Sequence, residues 1–176
     1  MKTFNTLKRI VLVSAILFLT INSTAQETNN IDKIDAIISL SKFINWHSDY
    51  YKTDSKKLIF ILSDKNSSIN YEIQSKNNFK YKNWQIICSD RYDEIINGSI
   101  VFIINEQKSK VSELIKVSKV KNILTVADNI DNFCENGGMI NIKTNNGRSH
   151  FEINYQEIQN QEIEISSKLL ALAKIL

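Results

Sequence analysis

"ILTVADNIDNFCENGGMINIKT", residues 123–144, holds two apolar runs, the first closing on an acid and the second entered through two adjacent glycines. Two readings compete for it. A phosphate-cradling loop places its glycines after a strand and opens a helix, with a Lys-Ser/Thr pair or a third spaced glycine. Here Gly137 and Gly138 follow Asn136 and lead straight into "MINI", so the polarity is the opposite one. The pair therefore reads as a turn into a strand, where a positive φ is often needed. Gly98 before "SIVFII" and Gly147 before the last strand fit the same role.

Working outward, "KKLIFILSD" (56–64), "WQIICSD" (84–90) and "SIVFII" (99–104) join "ILTVAD" (123–128) as short apolar runs rich in Ile. Runs of that length, too short for helices, fit strands buried on both faces. Between them, 66–77 reads as a helix, "RYDEII" as a helical turn, and "EQKSKVSELIKVSKVKN" as a helix with Val111, Leu114, Ile115, Val117 and Val120 inward. "IDKIDAIISLSKFINW" (31–46) has the spacing of an amphipathic helix ending near Trp46. "MINIKT" and "SHFEIN" flank Asn146-Gly147, a hairpin signal. "SSKLLALAKIL" (166–176) reads as a closing helix with Leu169, Leu172, Ala173 and Leu176 on one face and Ser166 as its N-cap. The expectation is a three-layer α/β domain. Its sheet is mostly parallel, with a C-terminal antiparallel hairpin and terminal helices. The first four strands are expected in the common 2-1-3-4 order.

The first 25 residues stand apart. Lys2, Lys8 and Arg9 precede the apolar run "IVLVSAILFLTI", and Ser23 and Ala25 supply small residues for cleavage between Ala25 and Gln26. That is the pattern of a secretory signal peptide, and the run falls short of the ~20 residues that span a bilayer. Residues 26–176 are then one domain's length. Removing three bases and no acids from 22 Lys+Arg and 19 Asp+Glu leaves 19 of each. A neutral chain has no electrostatic footprint for nucleic acid or an anionic membrane.

Asp64, Asp90 and Asp128 each close a strand. In a parallel sheet such ends share the edge where ligands bind. An acidic metal or phosphoryl site is one reading; helix-capping aspartates in the strand-to-helix loops are the preferred one. His47, His150, Cys88 and Cys134 lack zinc-ligand spacing. In the 2-1-3-4 order the strands bearing the cysteines lie about three spacings, ~14 Å, apart, too far for a disulfide. There is no nucleophile elbow, metalloprotease helix or Walker loop, so the residues alone show no catalytic, metal or cofactor site. Cys134 as a nucleophile and a small ligand in the strand-end crevice are the competing readings.

Three stretches resemble the YfiR/HmsC family of periplasmic regulators. "FINWHS" matches the end of its first helix at Trp46. "ILTVADNIDNFCENGGMINI" carries Leu124, Thr125, Val126, Asp128, Phe133, Gly137, Gly138, Met139 and Ile140 of its central block. The closing segment carries Phe151, Ile153, Asn154, Ser166, Ser167, Leu169, Leu170, Leu172 and Ala173. The resemblance implies an exported, non-enzymatic protein that binds the periplasmic part of an inner-membrane signalling protein. The partner it implies is a diguanylate cyclase, with a sensor kinase as the other class, and the outcome control of cyclic-di-GMP and biofilm formation. It also implies a homodimer. His47 stands where the family has Pro, and two cysteines are fewer than its redox-controlled members carry.

Overall fold

The computed structural model describes residues 33, 35–46, 57–75, 80–81, 84–145 and 148–176. The segment 1–25 with its Ala25–Gln26 junction, His47, and the Asn146–Gly147 turn lie outside them. The chain divides into two compact units, 1–36 and 37–176, and the second carries the sheet.

The strands are β1 (Ile44–Trp46), β2 (Lys57–Leu62), β3 (Lys80–Tyr81), β4 (Trp84–Ser89), β5 (Ile100–Ile103), β6 (Leu124–Asp128), β7 (Ile140–Asn145), β8 (Arg148–Ile153), β9 (Ile163–Ile165) and β10 (Ala173–Ile175). Labelled helices are α1 (Ser68–Ser75), α2 (Val111–Ser118), α3 (Tyr155–Asn160) and α4 (Ser167–Leu170). The main sheet runs β10-β8-β7-β6-β5-β2-β4-β3, and β1 pairs with β9 separately. From β4 through β7 every neighbour is parallel. The β7–β8 pair is the antiparallel hairpin. The four strands read from the sequence thus lie as β4-β2-β5-β6, the expected 2-1-3-4 order.

Their mainly apolar runs follow from burial on both faces: every residue of β5 and β6 is buried, Thr125 and Asp128 included. One face presents Leu58, Phe60, Leu62, Val101, Ile103 and Ala127 to Leu114, Ile123, Ile130, Phe133 and Cys134. Burying one such large side chain contributes roughly 1.5–3 kcal/mol, against the conformational entropy lost on ordering it. Val120 does not join this stripe. It lies beyond the last turn of α2 and is 82% exposed, while Leu114 and Ile115 are buried.

Two terminal expectations are corrected. The first helix does not reach Trp46: helical residues end at 40, a 3-10 turn covers Ser41–Phe43, and β1 follows. The register Ile44↔Ile165 and Trp46↔Ile163 explains the change. Both Ile44 and Trp46 are buried with exposed Asn45 between them, an alternation a helix cannot produce. The closing helix is likewise only one turn, α4. Ser166 caps it as expected, accepting from the Lys168 N–H at 3.3 Å. Beyond it the chain becomes β10, parallel to β8, with the Leu176 N–H donating to the Ile153 carbonyl at 2.9 Å. The backbone edge of β8 offers β10 a hydrogen-bond ladder, and that wins over local helix preference. Of the expected face only Leu169 is buried; Leu172 is 71% exposed.

Candidate functional site

The strand-end crevice gives the first candidate. β2 and β5 are the adjacent strands at which the connection order reverses, the point where open α/β sheets commonly bind ligands. Asp64, just past β2, does not cap α1. Its carboxylate accepts from Gln107 Nε2 at 2.7 Å and from Lys110 Nζ at 3.3 Å, both from the segment after β5. These two hydrogen bonds hold the Asp64 carboxyl below the usual carboxylate range. At the start of α1 the capping oxygen is instead Ser67 Oγ, which accepts from the Asn70 N–H. After β4 it is Ser89, not Asp90, that accepts the Arg91 N–H. Asp128 is buried at the end of β6. The capping reading therefore fails for Asp64, whose side chain ties two neighbouring strand ends together.

The second candidate is the loop between β6 and β7, residues 129–139. Asn129 and Asn132 sit at φ 53° and 55°, a left-handed conformation that Asn tolerates better than most residues. Phe133 and Cys134 turn fully inward while Asp131, Asn132, Glu135 and Asn136 face solvent. The two glycines then do different work. Gly137 has φ 99°, as a turn into a strand demands. Gly138 has no such dihedral; a Cβ there would lie 2.2 Å from Phe133 Cε1. Its missing side chain is the space the Phe133 ring occupies.

Hydrogen bonds fasten this loop on every side. Thr125 Oγ1 accepts from the Met139 N–H at 3.1 Å. Asn141, fully buried, donates to the Ile130 carbonyl at 2.6 Å and accepts the Ile130 N–H at 3.2 Å. Asn154 donates through Nδ2 to the Cys134 carbonyl at 2.9 Å. The Asn154 N–H donates to the Met139 carbonyl, also at 2.9 Å, while its Oδ1 caps α3. Lys143 pairs with Asp131 at 2.7 Å, which lowers the Asp131 pKa. The first stretch joins the closing one elsewhere, through β1–β9 and a Ser166 N–H bond to the Phe43 carbonyl. Trp46 also packs against Trp84, ring centroids 6.0 Å apart.

The motif residues are thus brought together as mutual supports. Phe133, Met139, Ile140, Ile153 and Leu169 are core; Leu124 and Val126 lie in the sheet; Phe151 and Ala173 are register partners on β8 and β10. Asn141 and Gln107 were missed by the sequence reading. An amide inside the apolar "MINI" was the available signal for the first; the second had none.

The chemistry of the thiols is subdued. Burial pushes Cys134 up to about 12 and Cys88 up to about 11, the latter partly offset by a hydrogen bond with Ser63. At neutral pH both are thiols, poor nucleophiles and poor metal ligands. They are also on opposite faces of the sheet. Cys134 packs beside Ile87's face, and Cys88, one residue on, points to the other. Both are free cysteines. His150 lies on β8, and among the described residues no three His, Cys, Asp or Glu side chains converge as a metal would need.

A family model described as YfiR/HmsC-like matches residues 33–174, nearly all of unit 37–176. A search of curated proteins finds no match.

Proposed function

The chain belongs to the YfiR/HmsC-like family, and from that premise we propose that it regulates an inner-membrane signalling protein by binding its periplasmic part. Family membership suggests a periplasmic regulator in cyclic-di-GMP signalling, and a regulatory rather than catalytic one. The match over 33–174 is the observation that carries the reading. One feature agrees with it: the motif residues support one another in the fold. No helix among the described residues is long and apolar enough to cross a membrane. The preferred partner is a membrane-bound diguanylate cyclase. Residues 1–25 act as the export signal, cleaved between Ala25 and Gln26.

The test is made in the protein's own host. Deletion is expected to change cyclic-di-GMP and surface attachment, and crosslinking is expected to recover a membrane cyclase or sensor kinase with the protein. Cyclic-di-GMP left unchanged by the deletion, under conditions where the parent strain is shown to make the protein, refutes the cyclase reading. Amino-terminal sequencing of the exported protein is expected to begin at Gln26; an intact Met1 refutes cleavage.

A further inference from the structure

We draw no further inference here: the strongest candidate, the β10 edge of the main sheet with exposed Leu172, Ile175 and Leu176, is a short apolar edge, and nothing in the structure shows what covers it.

Discussion

Replacing Gly138 by alanine adds one methyl group where the structure has an aromatic ring. The new Cβ would lie 2.2, 2.4 and 2.5 Å from three Phe133 ring carbons, distances no real Cβ shows. Backbone strain is not the issue, since Gly138 is not among the positive-φ residues. Either the ring or the loop has to move. Overpacking a tight core typically costs about 1–3 kcal/mol, and losing a buried phenylalanine outright about 3–5 kcal/mol. Gly138→Ala is therefore expected to destabilise by about 2–4 kcal/mol, a melting-temperature fall of roughly 5–15 °C for a domain this size. Urea unfolding of the purified protein measures it. The diagnostic comparison is Gly138→Ala made in a Phe133→Ala or Phe133→Leu background, which removes the offending ring carbons. There the same methyl should cost at least about 1.5 kcal/mol less, a coupling in the range seen for touching residues. Equal cost in both backgrounds, or none in either, refutes the packing account. Gly137→Ala is the control. It brings a Cβ only to 3.4 Å from Ile115 Cγ2 but forces alanine to φ 99°. Its loss of about 1–3 kcal/mol should be independent of residue 133.

Other substitutions probe the remaining supports. Asn141→Leu leaves the Ile130 N–H and carbonyl without their side-chain partner and should cost about 2–4 kcal/mol by urea unfolding; a neutral result means the loop finds other partners. Ser166→Ala removes the α4 cap and is expected to cost about 1 kcal/mol. The thiols give a pH signature. Because folding raises both pKa values from 9.0, to about 11 and about 12, the unfolded chain releases those protons first. Their contribution to stability is complete below pH 9 and declines as pH rises through the window up to about 12. Cys88→Ala should show a shallower alkaline decline than the parent in thermal melts; an identical decline removes Cys88 as a contributor. In the native protein at pH 8 both thiols should react with a disulfide reagent far more slowly than after unfolding.

What the sequence revealed depended on how local the deciding interaction was. The buried strands were legible because two covered faces favour apolar residues: β5 is apolar throughout, and β6 is apolar but for Thr125, which accepts from the Met139 N–H, and Asp128 at its end. The strand order followed from the usual topology of such units. Residues 44–46 and 173–175 were misread as helix because their strand conformation is supplied from far along the chain, by Ile163–Ile165 and by β8. Asp64 was misread for the same reason. Capping is a local rule, whereas its partner Gln107 lies 43 residues away across the sheet edge. The glycine pair was read correctly as punctuation, but one rule had been applied to two different residues. Only Gly137 needs its dihedral; Gly138 answers to a ring five positions earlier.

This division of labour bears on how the proposed regulation is tested. The recognisable residues of the 124–140 block are mostly buried, and those on the loop that face solvent, Asp131, Asn132, Glu135 and Asn136, lie between them. A substitution such as Phe133→Ala or Thr125→Val removes packing or the hydrogen bond to the Met139 N–H, so its first effect is on the folded fraction. A few kcal/mol lost from a marginally stable domain changes abundance several-fold in a cell. Loss of regulation in such variants is therefore expected to track their abundance, measured by quantitative immunoblot alongside cyclic-di-GMP. Exposed-residue variants such as Glu135→Ala should leave abundance unchanged, so any effect they have reports on binding. If a core motif variant is present at parental level with a parental melting temperature and still fails to regulate, that residue contacts the partner, and the architectural account of the motif is wrong.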